Sequence, residues 1–163
     1  AHETTNNSTW QVADIRSGGS HGMANDITVM GTRLYFGAND GTGEELWAHE
    51  TTNNSTWQVA DIRSGGAGNP EEMTVVGTRL YFSATDGTGD ELWVHETTNS
   101  STWVVTDFAS TWGALHRVQV VHEASFPYMG TTRLYFEAYE GSAGSHSGAE
   151  LWMMEIVDTI TYD

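Results

Sequence analysis

The chain has 163 residues, with 22 acidic side chains against 6 Arg, no Lys and no Cys, for a formal charge of −16. A phosphate-binding partner such as nucleic acid needs clustered Lys and Arg and is excluded, as are a disulfide framework and thiolate chemistry. The 7 Trp, 6 Tyr and 5 Phe are too many for an acidic disordered tail, and no apolar run approaches the ~18–20 residues of a membrane span.

In chain order, the first feature is a repeat. The string AHETTNNSTWQVADIRSGG opens at Ala1 and recurs unchanged from Ala48, and a looser copy, VHETTNSSTWVVTDFAS, starts at Val94. Between them lie GTRLYFGANDGTGEELW from Gly31 and GTRLYFSATDGTGDELW from Gly77, and a divergent TTRLYFEAYEGSAGSHSGAELW starts at Thr131. The period is 46 residues from Trp47 to Trp93 and 59 from Trp93 to Trp152. Trp103 to Leu134 spans 31 residues where Trp57 to Leu80 spans 23, and Leu134 to Leu151 spans 17 where Leu80 to Leu92 spans 12. The third unit therefore carries two insertions. The boundaries read as a half repeat at 1–24, units at 25–70 and 71–108, and a divergent unit at 109–163, all one repeat domain.

Each unit predicts four short strands. In the first they run Ile27 to Met30, Arg33 to Ala38, Glu45 to Thr51 and Thr56 to Ile62, with turns at Gly31-Thr32, at 39–43 and at Asn53-Asn54. Val, Ile, Thr and aromatic residues fill the strands, Gly, Asn and Asp fill the turns, and no segment holds a 3.6-residue apolar period, so no helix is expected. The other units place first strands near Met73 and Phe126, and fourth strands at Trp10, Trp57, Trp103 and at Asp158 to Tyr162. Large apolar side chains fall on both faces of each strand, so both faces must be covered. The fold class expected is all-β: antiparallel four-stranded repeats forming β-propeller-like blades, about three and a half units.

At GTRLYFGANDGTGEELW and VADIRSGG the sequence resembles the ELWxxDGT repeat family, whose pattern departs here at Glu50-Thr51-Thr52, at Glu96-Thr97-Thr98 and throughout 108–130. The resemblance covers nearly the whole chain and implies a propeller-like fold and a secreted, extracellular setting. It implies no catalytic residues.

Several residues are candidate sites. Asp40 with Glu44, and Asp86 with Asp90, place two carboxylates in a Gly-rich turn, the oxygen-ligand chemistry of calcium, though without a dense D-x-D-x-D spacing. Asn6, Asn53 and Asn99 begin N-x-[ST] sequons on one predicted turn, as do the adjacent Asn7 and Asn54; these are glycosylation acceptors in a secretory setting. His2, His49 and His95 recur once per unit beside Glu and suit scaffold hydrogen bonding better than a metal site. What only the third unit has is where a particular function can lie. Trp112, His116, Arg117, His122, Phe126, Tyr128, Met129, Tyr139 and His146, read as sitting on inserted loops, form a candidate ligand-binding surface.

The sequence thus predicts a non-enzymatic, secreted binding or structural protein that assembles as a homo-oligomer or with a related repeat chain. The first alternative is a carrier of an elongated apolar ligand such as a carotenoid-type pigment; the second is a carbohydrate-binding lectin. The start at Ala1, without Met and within a predicted strand, suggests a piece of a longer array. Association is expected through residues 1–20 and 150–163.

Overall fold

The computed structural model describes residues 9–18, 22, 24–106, 115–123, 131–139 and 149–157. Among these residues eleven strands form three antiparallel sheets. Sheet one is β1 (Asn25–Met30), β2 (Arg33–Asn39), β3 (Glu44–Glu50) and β4 (Ser55–Ala60), in that order. Sheet two repeats it with β5 (Glu71–Val76), β6 (Arg79–Thr85), β7 (Asp90–Glu96) and β8 (Ser101–Thr106). Sheet three has β9 (Leu115–Glu123), β10 (Thr131–Tyr139) and β11 (Ala149–Val157), with β10 in the middle and β11 at an edge. Among the described residues there is no helix, and hence none long and apolar enough to cross a membrane.

Local chemistry sets the hairpins. Gly31 and Gly77 take φ of 61° and 57° between the paired ends Met30–Arg33 and Val76–Arg79, a conformation that costs Gly no Cβ clash. The first strands of sheets one and two each bulge at a residue of positive φ, Asp26 and Glu72. The bulged segments meet across the sheets, where the Met73 N–H donates to Asp26 Oδ2 at 3.1 Å. Each third strand returns an acid to the Arg at or near the start of the second: Arg33–Glu50 at 3.3 Å, Arg79–Glu96 at 3.1 Å and Arg133–Glu155 at 2.9 Å.

Period-two alternation and the cross-strand registers give each sheet two faces. One, called the front, carries Tyr35, Leu46, Ala48 and Trp57 in sheet one; the back carries Leu34, Phe36, Ala38 and His49. The front of sheet one packs on the back of sheet two, in a core of Tyr35, Leu46, Ala48 and Ile62 against Leu80, Phe82 and Ala84. Tyr35 and His95 meet across this layer with ring centroids 5.7 Å apart. The front of sheet two packs in the same sense on the back of sheet three, where Val76, Tyr81, Leu92 and Val94 meet Leu134, Phe136, Ala138 and Ile156. Both faces of the middle sheet are therefore covered over its central strands β6 and β7.

The crossing segment 61–70 staples sheets one and two. Gly68 N–H donates to Glu44 O at 2.8 Å, and Gly68 O accepts from Thr85 N–H of sheet two at 2.8 Å. The Arg63 side chain lies against the turn at Gly87. One unit earlier Arg16 lies in the same way against Gly41.

Three sequence expectations are corrected. The first strand of the third unit is not near Phe126 but at Leu115–Glu123, because Glu123 pairs with Thr131 across a seven-residue connection rather than a two-residue turn. His116, Arg117, His122 and Tyr139 consequently lie on strands β9 and β10, not on inserted loops. Residues 9–14, expected as a fourth strand at Trp10, join no ladder, since a strand exists only against a partner; the third-strand copy before them lies outside the described residues.

Candidate functional site

Because the sheets stack front to back, two end faces are left: the back of sheet one and the front of sheet three. Residues at identical repeat positions show what this leaves uncovered. Leu46 and Leu92 are fully buried, but their counterpart Leu151 is 78% exposed. Ala48 and Val94 are buried, but Met153 is 50% exposed. Tyr135, half-buried, and the Arg133–Glu155 pair complete this face. At the other end Leu34 is half-buried where Leu80 and Leu134 are fully buried, and Ile27 and Val29 are exposed. The front of sheet three is thus open at Leu151 and Met153, whereas the back of sheet one is open only around Ile27, Val29 and Leu34, its Phe36, Ala38 and His49 being buried.

A third opening lies at the outer side of the seam between sheets two and three. A groove of about 230 Å³ is lined by Arg79, Tyr81, Val94, Trp103 and Val105 on one side and by Met154, Glu155 and Ile156 of β11 on the other. Trp103 is 41% exposed. In sheet one the same residue, Trp57, packs into the core, with the Arg33 guanidinium carbon 5.6 Å from its ring centroid. The difference is that sheet two has a fourth strand, β8, whereas among the described residues sheet three ends at β11.

The remaining polar groups act as scaffold. His49 and His95 share Nδ1···Oγ1 hydrogen bonds with Thr56 at 2.8 Å and Thr102 at 2.9 Å. Burial pushes the His95 pKa down, and the nearby Arg33 charge adds to this. The buried Glu45 carboxylate accepts from the N–H groups of Ile62 at 2.7 Å, Gly68 at 3.1 Å and Arg63 at 3.4 Å. Its pKa is nonetheless raised, because burial outweighs those bonds. Glu50 sits at about 2, held there by the side chain and backbone N–H of Thr52, then by Thr32 and Arg33. Burial pushes Glu96 up, but Thr78, Thr98 and Arg79 overcome it and hold the group at about 2.

The carboxylates expected to bind calcium take separate partners. Asp40 accepts from Thr42 N–H at 3.0 Å and Oγ1 at 2.7 Å, and Asp86 does the same with Thr88. Glu44 Oε1 accepts from Asn25 Nδ2 at 2.8 Å, while Asp90 opens β7. Among the described residues no group of three or more His, Asp or Glu gathers as a metal centre. Asn53 and Asn99 are exposed on tight turns, their Oδ1 atoms accepting from Ser55 and Ser101. His116 stands opposite Glu137 and His122 opposite Thr132 in the β9–β10 ladder. Trp112, Phe126, Tyr128, Met129, His146 and Asn6 lie outside the described residues. Sequence reasoning missed Ile27, Val29 and Leu34. Their signal was available: they are apolar residues at repeat positions of the first full unit.

No protein-family model and no curated protein sequence matches the chain.

Proposed function

We propose that the chain is a structural or binding repeat protein whose units are propeller-like blades and whose action is assembly: the front of one copy's sheet three docks on the back of another copy's sheet one. The observation that carries this is the exposure of Leu151 and Met153 at positions buried in both other units. The two internal seams already use this front-to-back contact, so an end-to-end contact repeats a geometry the sequence encodes twice. Burying the rest of Leu151 is worth about 1–2 kcal/mol, and the remaining half of Met153 about 1 kcal/mol.

Counting favours two copies. Among its described residues each copy brings three sheets, and propellers close with about 4–8 blades. Two copies bring six and satisfy both end faces of each by two-fold symmetry. Three sheets alone fall below that range. The ELWxxDGT-like motifs, with their propeller-like family fold, agree with this reading. Sedimentation of the chain at micromolar concentration in about 0.5 M salt tests it: a species of two copies is expected, and a monomer would overturn it.

A further inference from the structure

We infer that His95 makes the joint between sheets one and two acid-sensitive: a proton taken up by this ring opens that seam, while the seam between sheets two and three, with Met154 at the same repeat position, stays shut. The device belongs to the single chain and does not depend on association with a second.

The repeat registers set up the contrast. His95 stands opposite Leu80 on the back of sheet two, and Met154 stands opposite Leu134 on the back of sheet three. Met154 packs on the apolar core of its seam and has nothing to titrate. His95 is 3% exposed, and its ring faces Tyr35 of sheet one with centroids 5.7 Å apart. The only ionisable ring in that contact that can charge near neutrality therefore lies between two packed sheets, away from water.

Every neighbour of the ring can be assigned. Its Nδ1 shares a hydrogen bond with the Thr102 hydroxyl at 2.9 Å. A hydroxyl can donate to a bare ring nitrogen or accept from a protonated one, so Thr102 fixes the ring in both states and selects neither. From sheet one, β2 brings Arg33 and Tyr35, and Tyr35 stays neutral at these pH values. The Arg33 charge cannot easily swing away, since Glu50 of β3 holds its Nε at 3.3 Å and the Trp57 ring of β4 lies 5.6 Å beneath its guanidinium carbon. The core side chains that β3 and β4 add to this layer, Leu46, Ala48 and Trp57, carry no charge. Burial holds the imidazole below its ordinary pKa and Arg33 adds to this, while Glu96 and the Ser101 backbone pull the other way.

The sign follows from linkage. With its pKa lowered in the closed seam, His95 binds fewer protons there than when the seam is open. The closed seam is thus favoured above the ordinary imidazole pKa of about 6.5 and loses ground as pH falls from there toward the folded value. One proton sets the limit, an opening equilibrium that rises by at most about tenfold per pH unit. Glu45, at the crossing segment of the same joint, has the opposite sign: its raised pKa favours the closed joint in acid, so it does not supply an acid opening.

The chain has no native Cys, so single thiols report each seam. Ala48→Cys places one in the seam of sheets one and two, and Ala138→Cys places one in the seam of sheets two and three; the parent residues are 0% and 2% exposed. Labelling by dithiodipyridine, which reacts in acid, is measured against the urea-unfolded chain at the same pH. From about pH 7.5 to about pH 5 the Ala48→Cys rate should rise at least about fivefold, and the Ala138→Cys rate less than about twofold. Adding His95→Met, the residue the third unit uses, should hold the Ala48→Cys rise below about twofold, whereas His49→Met should leave it intact. An equal rise at both seams, or a rise that persists with Met at 95, overturns the inference. The urea midpoint of the chain without added Cys is a second readout, independent of packing at Ala48. Its fall between the two pH values should be at least halved by His95→Met, and an unchanged fall would contradict the role of His95.

Discussion

Removing the carboxylate of Glu45 should loosen the joint between sheets one and two. The side chain is 2% exposed and caps three backbone N–H groups of the crossing segment. The bond to Ile62, at 2.7 Å, is well formed; that to Arg63, at 3.4 Å, is near the limit, and the Gly68 N–H, at 3.1 Å, is shared with the Glu44 carbonyl at 2.8 Å and keeps that acceptor when Glu45 is removed. A hydrogen bond to a charged group contributes about 1.5–3 kcal/mol, and a buried donor left without an acceptor costs a similar amount. With one well-formed bond lost outright, that to Ile62, Glu45→Ala should lower stability at pH 7 by about 2–3 kcal/mol, a sizeable share of the ~5–15 kcal/mol of an ordinary domain. Glu45→Gln keeps one acceptor and removes the buried charge, so its cost should be about 1–2 kcal/mol. Because burial raises the folded pKa of Glu45, the contribution of its titration is present below the ordinary carboxylate pKa and declines as pH rises through the folded value. The Glu45→Ala deficit is accordingly smaller at pH 7 than in acid. Urea unfolding followed by Trp fluorescence measures both variants. A loss below about 1 kcal/mol for Glu45→Ala would refute the role of this carboxylate as the staple of the crossing segment.

Leu92→Ala removes a fully buried side chain and should cost about 3–5 kcal/mol in the same assay. Leu151→Ala, at the same repeat position but exposed, should change monomer stability by less than about 0.5 kcal/mol while weakening association. Gly43 has φ of 156° and a Cβ there would run into the Gly66 carbonyl, so Gly43→Ala should lower the thermal midpoint, at a cost of about 2 kcal/mol or more; an unchanged midpoint would contradict the close approach of these turns. Glu50 and Glu96 have folded pKa values of about 2, below their unfolded value, so the stability they contribute is present above the unfolded pKa and lost as pH falls toward 2. The double variant Glu50→Gln, Glu96→Gln should flatten that acid limb of a pH–stability curve. Far-ultraviolet circular dichroism should show less than roughly 15% helix.

The first two units were legible because their information is local. A Gly-Thr turn fixes each hairpin, and the alternation of Leu34, Tyr35 and Phe36 places large side chains on both faces, both of which are covered in the middle sheet. The third unit defeated the same reasoning. Counting back from Leu134 with the spacing of the earlier hairpins lands near Phe126, but Leu134 pairs with Val120 across a longer connection, and no local residue announces its length. Trp10 shows the opposite failure. Its neighbours match β4 residue for residue, yet residues 9–14 form no strand within the chain, because a strand depends on its partner as much as on its own propensity. The end faces were half legible: Leu151 and Met153 fall in the expected 150–163 segment, whereas Ile27 and Val29 lie on β1, outside the segments expected to associate.

The central claim is that sheets stack front to back and that the chain's two end faces complete one another. The most direct measurement is the mass in solution of the 17.9 kDa chain at micromolar concentration in about 0.5 M salt, where repulsion between copies of charge −16 is screened and contacts made by strands and apolar side chains persist. The account predicts a species of twice the chain mass that Leu151→Asp, at the exposed end face, reduces to monomer. A monomer from the unaltered chain, or a dimer indifferent to Leu151→Asp, would contradict it.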